Sequence, residues 1–168
     1  MNGSFYQIGG SEIYALAINE GKELVKNSYV SNYEGLKRGT IWYNGRGCHI
    51  DKIYNAKEEI KSKIQWAISG LELYPDYNPT EEGFTGAYSD VLRKTNHTAI
   101  GFKDNKVYLI TGKDYYLKTF KDIILNSPIA FDGLIALDGG GSTQMTYKND
   151  HIVSSNRTLN HAITLKEV

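Results

Sequence analysis

The chain has 168 residues, 40% of them hydrophobic, which is enough for one domain with a substantial core and too little for two full domains. Its 19 basic and 19 acidic residues give a formal net charge of zero, which argues against non-specific binding to a nucleic acid polymer or an anionic membrane surface. The single cysteine, Cys48, excludes an intrachain disulfide and is typical of a reducing compartment.

The N-terminal sequence does not resemble a targeting signal. Residues 1–11 lack both the basic start and the apolar core of a leader, and no apolar run is long enough to cross a bilayer. We therefore expect a cytoplasmic protein without a membrane partner.

Turn residues between short apolar runs predict antiparallel hairpins in both halves of the chain. Segments 13–18 and 22–25 flank one turn, and segments 99–103 and 107–111 flank another. The sequence has no strand and helix alternation long enough for a parallel sheet. We therefore predict a single α+β domain over residues 1–168, with mostly antiparallel sheets and a few helices.

Two segments have the apolar spacing of helices. Segment 56–68 places isoleucines on one face, although its last residues also fit a strand at 66–70. Segment 115–126 has the clearer pattern, with Asp114 as its predicted N-cap. Between them, the prolines and glycine of segment 74–86 predict a loop that could cover a pocket.

A buried strand followed by a glycine-rich turn is the most informative feature of the sequence. The apolar run 134–137 leads into Asp138, three glycines at 139–141, and then Ser142 and Thr143. Glycines can take positive φ and bring backbone N–H groups close to a ligand, and the two hydroxyls add further donors. The pattern therefore predicts an oxyanion site beside a carboxylate.

Three further motifs accompany this turn. They are Asn-Gly-Ser-Phe at 2–5, His-Thr-Ala-Ile-Gly at 97–101 and Asn-Arg-x-x-Asn-His-Ala at 156–162. Together with Leu-Asp-Gly-Gly-Gly-Ser-Thr at 137–143, and in this order, they resemble the phosphodiester glycosidase family over almost the whole chain.

The resemblance implies a hydrolase that breaks the bond between a sugar and a phosphodiester. A phosphodiester is an unreactive anion, so the reaction needs donors that hold the phosphate and a group that activates or replaces water. Asp138 is the candidate nucleophile or base, and His97 and Arg157 complete the predicted catalytic set. The predicted phosphate-binding residues are Asn2, Gly3, Thr98, Gly139, Gly140, Gly141, Ser142, Asn156 and His161.

Two departures from the family pattern affect these predictions. Family members usually carry arginine where this chain has His97, and a histidine is charged only when its environment keeps it protonated. We therefore predict that His97 binds phosphate as the imidazolium, with an affinity that weakens as the pH rises through neutrality. Family members also carry strands before the Asn2 motif, so either a second copy in a homo-oligomer supplies a strand or the fold is shortened.

The spacing of the remaining acids and histidines selects neither a second carboxylate nor a metal site. Asp132 and Glu12 are both candidates for the second carboxylate. One aspartate and two histidines could hold a divalent ion, but close metal-ligand spacings are missing, and we predict no metal and no cofactor. His49 and His151 are interpreted as structural.

Two alternative functions stay open at this stage. The first is hydrolysis of a nucleotide-linked or cyclic-nucleotide phosphodiester, in which some of the 13 tyrosines would stack on a base. The second is non-catalytic binding of a phosphorylated small molecule. A bare carboxylate beside a phosphate repels it, so Asp138 argues against pure binding.

Overall fold

The computed structural model describes residues 1–6, 13–25 and 35–165. Within these residues the chain forms an eight-stranded sheet, a two-stranded ribbon and two α-helices, and its strand pairings are antiparallel. The predicted α+β class with mostly antiparallel sheet is therefore confirmed. Glu12, one of the predicted second carboxylates, lies outside the described residues.

The described part of the chain contains ten strands, two α-helices and two 3₁₀ helices. The strands are β1 (Ala17–Asn19), β2 (Lys22–Val25), β3 (Arg38–Tyr43), β4 (Cys48–Ile53), β5 (Trp66–Tyr74), β6 (Thr95–Lys103), β7 (Lys106–Tyr115), β8 (Gly133–Leu137), β9 (Met145–Tyr147) and β10 (Asp150–Val153). The helices are α1 (Ala56–Glu59), α2 (Leu117–Leu125) and two 3₁₀ helices, Gly86–Leu92 and Gly140–Ser142. The large sheet has the order β2-β1-β5-β8-β6-β7, and β3 pairs with both β4 and β5.

The central strand β8 is buried on both faces and leads to Asp138. Because side chains alternate across a strand, Leu134 and Ala136 pack into the core beneath α2, and Ile135 and Leu137 pack into a second core on the opposite face. The all-apolar sequence of β8 thus reflects a strand covered on both sides. Asp138 follows directly, at the edge of this core.

The predicted helix at 115–126 is confirmed as α2, but its predicted cap is wrong. Leu117, Phe120 and Ile124 form the buried face of α2. Its N-cap is Tyr116, without a side-chain hydrogen bond, whereas Asp114 lies at the end of β7 with φ +63° and pairs with a lysine at 3.1 Å. The left-handed backbone at Asp114 belongs to the turn out of β7, so its carboxylate does not cap the helix.

The predicted helix at 56–68 is largely wrong. Only one turn forms, in α1, where the side chain of Asn55 accepts a hydrogen bond from the backbone of Lys57 at 3.2 Å. The alternative strand at 66–70 is confirmed as the start of β5, which pairs with both β1 and β3. The strand pairings of β5 outweigh the weak helical preference that the isoleucine spacing indicates.

The two predicted hairpins are confirmed as β1–β2 and β6–β7, although β1 is shorter and the second pair is longer than predicted. Sequence reasoning missed β3. The predicted loop at 74–86 is the connection between β5 and the first 3₁₀ helix. No helix in the described part of the chain is long and apolar enough to span a membrane.

The two ends of the chain meet beside β8. The N-terminal amine donates to Ile163 O at 3.1 Å, Gly3 N donates to His161 O at 2.9 Å, and Asn2 forms an antiparallel bridge with Ala162. Asp138 N in turn donates to Gly3 O at 3.1 Å. Since β6 pairs directly with β8, all four sequence motifs come together at one end of the sheet.

Candidate active site

A cavity of about 390 Å³ opens where β8 ends. The glycine turn, the end of β6 and the loop before it form its polar side, and aromatic rings form the rest. The polar groups that line it come from Asp90, Arg93, His97, Asp138, Arg38 and Arg157. Its aromatic residues are Phe5, Tyr6, Tyr14 and Phe84.

Asp138 is the carboxylate at the inner end of this cavity. Its Oδ2 atom is buried and accepts no hydrogen bond from any residue that the structure describes. Burial raises the pKa of Asp138 to about 6, although hydrogen bonds from Ser142 and Gly139 and the charge of Arg157 lower it. The nearby charge of Asp90 adds to the rise. A carboxyl that exchanges its proton near pH 6 is suited to general acid or base chemistry.

The glycine turn needs its glycines for two different reasons. Gly140 has φ +60°, a conformation that a residue with a Cβ adopts only with strain. At Gly141, a Cβ would lie 2.9 Å from Nη2 and 3.1 Å from Cζ of Arg157, so the guanidinium sits directly against the turn. The turn closes as a short 3₁₀ helix, in which Ser142 N donates to Gly139 O at 3.1 Å.

Arg157 is held over the turn from several directions. Its Nη1 donates to Ser142 Oγ at 3.3 Å, its backbone N–H donates to Ser155 Oγ at 3.0 Å, and Gln144 Nε2 donates to its carbonyl at 2.6 Å. The hydroxyl of Ser155 also donates to Gly141 O. These contacts fix the backbone of Arg157 and leave one hydrogen bond, to Ser142, for its exposed guanidinium on the wall of the cavity beside Asp138. The neighbouring Asn156 is exposed and does not line the cavity.

Ser142 does not present its hydroxyl to the cavity. The side chain is 1% exposed, and its Oγ lies 3.0 Å from the hydroxyl of Tyr6. It is placed to orient Arg157 and Asp138, so its burial disfavours direct binding of phosphate by the hydroxyl, which stays a prediction.

His97 lines the cavity, but its ring contacts other parts of the protein. Nε2 lies 2.7 Å from Tyr115 O, the carbonyl of Arg93 also interacts with the ring, and the ring stacks on Phe120 with centroids 5.5 Å apart. Burial lowers the pKa of His97, an effect that outweighs the two carbonyls, which raise it. The prediction of an imidazolium that binds phosphate stays a prediction, and both the lowered pKa and the contact with Tyr115 O argue against it.

The Asn2 motif supports the site from behind. Its side-chain amide donates to Asp138 O and accepts from Thr98 Oγ1 at 3.1 Å and Gln144 N at 3.2 Å. Asn2 and Thr98 are 1% and 0% exposed and do not line the cavity. They fix the backbone at the end of β8, and this position disfavours their predicted contact with phosphate, which stays a prediction.

Gly3 and His161 form a second supporting pair. A Cβ at Gly3 would lie 2.7 Å from Nδ1 of His161, and that same nitrogen accepts a hydrogen bond from Ser4 N at 3.2 Å. Burial lowers the pKa of His161, consistent with a neutral ring. Neither residue lines the cavity, which disfavours their predicted binding role, and that role stays a prediction.

Sequence reasoning missed the residues that the loop and the first 3₁₀ helix bring to the cavity. Phe84, Asp90 and Arg93 lie outside the four motifs, and the only signal near them was the predicted loop at 74–86. Among the described residues, Asp90 is the carboxylate that shares the cavity with Asp138. Asp132, the acid named from sequence, instead pairs with Lys103 at 2.9 Å and does not line it.

The other histidines take part in local contacts. His49 stacks on Trp42 with centroids 4.2 Å apart, and His151 lies 3.3 Å from Thr146 Oγ1 in the ribbon. Among the described residues, no group of three or more histidine, cysteine, aspartate or glutamate side chains is placed to hold a metal ion.

An antiparallel α+β domain thus brings a carboxyl of raised pKa, a glycine turn and arginines together at one cavity. The family model for phosphodiester glycosidase matches residues 1–166, and the chain therefore belongs to this family of hydrolases. No curated protein matches the sequence.

A solved structure has a similar fold. It is the catalytic domain of zebrafish N-acetylglucosamine-1-phosphodiester alpha-N-acetylglucosaminidase, auto-inhibited by its pro-peptide, with a TM-score of 0.66 and 15% sequence identity. The match covers 85% of this chain and 51% of the zebrafish chain. The chain thus spans about half the length of that relative.

Proposed function

We propose that this protein hydrolyses a sugar phosphodiester by cleaving the bond between the sugar carbon and the phosphate oxygen. The observation that carries the proposal is Asp138, whose Oδ2 is buried and accepts no hydrogen bond from the described residues, at a cavity that also holds a glycine turn and Arg157. Membership of the phosphodiester glycosidase family supports the same reaction.

The phosphate binds at the glycine turn beside Arg157. Gly141 lets the guanidinium approach the turn, and an arginine offers two parallel donors to a phosphate. The contacts with Ser155 and Gln144 fix the backbone of Arg157, and the hydrogen bond to Ser142 orients its guanidinium, so less entropy is lost when substrate binds.

Asp138 activates the attacking water. As the water oxygen bonds to the sugar carbon, its proton moves to the carboxylate of Asp138, and the carbon–oxygen bond breaks with its electron pair going to the phosphate. The products are a free sugar and a phosphomonoester. Because the phosphate is a good leaving group, the reaction needs no strong general acid. A pKa of about 6 keeps Asp138 ionised at neutral pH, as a base requires.

The aromatic wall favours a sugar next to the phosphate. Phe84, Tyr6 and Tyr14 line the cavity, and aromatic rings pack against the apolar face of a pyranose. The same rings could stack on a base, so a nucleotide-linked phosphodiester is the second candidate. Pure binding is disfavoured, because a part-buried carboxylate without a chemical role would only repel the phosphate and destabilise the fold.

The test is a panel of sugar phosphodiesters, nucleotide sugars and cyclic nucleotides, incubated in water labelled with ¹⁸O and analysed by mass. We expect a free sugar that carries the label, which identifies cleavage at carbon. Label in the phosphate would refute this mechanism and indicate attack at phosphorus. A panel without turnover, from protein that binds the same compounds, would support the binding function instead.

Asp138→Asn and Asp132→Asn form the matched pair for this assay. Both replace one carboxylate by an amide, but Asp132 is exposed, pairs with Lys103 and does not line the cavity. The first variant should lose turnover by roughly 10²–10⁴-fold, the usual contribution of a positioned acid or base. The second should keep the wild-type rate.

A further inference from the structure

The arginines that line the cavity differ in how closely their side chains contact the rest of the protein. Arg38 is 8% exposed, donates from Nη1 to Tyr14 O at 3.3 Å and lies over the ring of Phe84 at 5.2 Å. Arg157 is exposed, but its guanidinium lies against the glycine turn and donates to Ser142 Oγ at 3.3 Å. Arg93, in contrast, has a side chain that is 65% exposed, and its closest acidic contact is Asp90 at 4.0 Å. The guanidinium of Arg93 is therefore the one that a ligand can most easily recruit.

The backbone of Arg93 is better fixed than its side chain. Its N–H donates to Asp90 O at 3.3 Å, as the C-cap of the first 3₁₀ helix, and its carbonyl interacts with the buried ring of His97. That ring is itself anchored on Tyr115 O at 2.7 Å and on Phe120. His97 thus holds the base of Arg93 at the cavity while the guanidinium can still turn.

We propose that Arg93 binds the substrate phosphate together with Arg157, and that His97 acts as the positioning residue for Arg93. The inference rests on the function proposed above and names a part of the phosphate site that the sequence motifs do not contain. An exposed ion pair at 4.0 Å, such as that of Arg93 with Asp90, contributes little, so a phosphate oxygen can displace the carboxylate. The guanidinium then offers the phosphate two parallel N–H donors.

This arrangement also explains how a histidine is tolerated at position 97. The charge that binds phosphate need not come from that position if Arg93, four residues earlier in the chain, reaches the same cavity. His97 then acts through the backbone of Arg93 and needs no charge.

Binding of inorganic phosphate, followed by isothermal titration calorimetry, tests the proposal without requiring the sugar to be known. Arg93→Gln should weaken binding at least tenfold and reduce its dependence on salt, whereas Arg93→Lys should restore part of the affinity. The matched control is Lys94→Gln, which removes the adjacent cation; Lys94 pairs with Asp114 at 3.1 Å and does not line the cavity. It should leave binding unchanged.

His97→Phe tests the positioning role, because phenylalanine keeps the stack on Phe120 and loses the contacts with the carbonyls. We expect weaker phosphate binding that is not additive with Arg93→Gln, since both changes remove the same interaction. Full additivity in the double variant would overturn the link between the two residues.

The remaining outcomes separate this inference from the proposed function. If the wild-type protein binds neither phosphate nor any compound of the panel, the proposed phosphate site itself is refuted. If the wild type binds phosphate and Arg93→Gln binds it within twofold, only the role of Arg93 is refuted. Equal losses in Arg93→Gln and Lys94→Gln would show a general charge effect and would also overturn it.

Discussion

The substitution Asp138→Asn separates the charge of the site from its shape and should stabilise the fold while abolishing turnover. Asparagine has nearly the size of aspartate and keeps one acceptor, but it carries no charge. In the wild type, burial makes the ionised carboxylate costly and raises the pKa of Asp138 from 3.8 to about 6. The amide removes this cost because it is neutral at every pH.

The expected gain follows from the shift in pKa. Between pH 4 and 6 the folded protein keeps a proton that the unfolded chain has released, so the wild-type free energy of unfolding falls as the pH rises through this window. A shift of about two units corresponds to about 3 kcal/mol, and partial exposure of the side chain reduces this to about 2 kcal/mol. Above pH 6 the full difference in the free energy of unfolding between Asp138→Asn and the wild type should persist.

The assay is urea unfolding of the wild type and Asp138→Asn at pH 4 and pH 7.5, with turnover measured on the same samples. The stability difference between the two proteins should grow by about 2 kcal/mol between these pH values, or roughly 4–8 °C in Tm for a domain of this size. Comparing two pH values cancels any effect of asparagine that does not depend on charge.

Glu82→Gln is the matched control, because it removes a buried carboxylate that lies outside the cavity. Glu82 is fully buried, burial raises its pKa to about 7, and it does not line the cavity. Its Oε2 accepts hydrogen bonds from Gly39 N at 2.8 Å and Glu72 N at 3.1 Å, which the amide oxygen of glutamine can retain. This variant should show a similar pH-dependent gain, about 3 kcal/mol between pH 4.5 and 8, with turnover intact.

Two results would refute this reasoning. A stability difference for Asp138→Asn that stays constant between pH 4 and pH 7.5 would show that Asp138 is ionised without cost in the folded protein. Wild-type turnover in a folded Asp138→Asn variant would show that the residue only shapes the glycine turn.

Three further predictions concern the same cavity. Asp90→Asn removes a like charge near Asp138, so the acid limb of the pH–rate profile should move to lower pH, and a move to higher pH would contradict the electrostatics. The change in phosphate affinity between pH 6.5 and 8 should be the same in the wild type and in His97→Phe, because burial lowers the pKa of His97 and the titration of phosphate itself affects both proteins equally; a decline centred near pH 7 in the wild type alone would contradict this direction. Gly140→Ala, at φ +60°, should lower the free energy of unfolding by about 1 kcal/mol and weaken phosphate binding. Gly86→Ala, at φ +55° but outside the cavity, should lower stability alone, and titration calorimetry of both variants would show this difference in binding.

Local sequence signals predicted the strand and turn that carry the chemistry. β8 is apolar at every position because it is covered on both faces, and that pattern is visible without a structure. Asp138 and the glycine turn follow it immediately, so their place at the cavity also follows from the sequence. Arg157 could be connected to them only through the family resemblance, because its contact with Gly141 joins distant parts of the chain.

The predicted ligands that the geometry disfavours are those whose hydrogen-bond partners lie far away in sequence. The amide of Asn2 is engaged by Thr98, Gln144 and the carbonyl of Asp138, and the ring of His97 by the carbonyl of Tyr115. A motif shows that a polar side chain is present, but not whether its hydrogen-bonding atoms face the ligand or the protein. For the same reason sequence reasoning missed Arg93, which reaches the cavity through the 3₁₀ helix that precedes β6.

The comparison of Glu82 with Asp138 shows why a raised pKa does not by itself identify a functional carboxylate. The pKa of Glu82 is raised to about 7 and that of Asp138 to about 6, so the shift alone would select Glu82. Both oxygens of Glu82, however, accept hydrogen bonds from backbone N–H groups of β3 and β5, and the side chain is closed off from solvent. Asp138 combines a raised pKa with an oxygen that accepts no hydrogen bond from the described residues and with a place on an open cavity beside Arg157. Only the second arrangement places the carboxylate beside a cavity that a substrate can enter, and we therefore propose Asp138, and not Glu82, as the catalytic carboxylate.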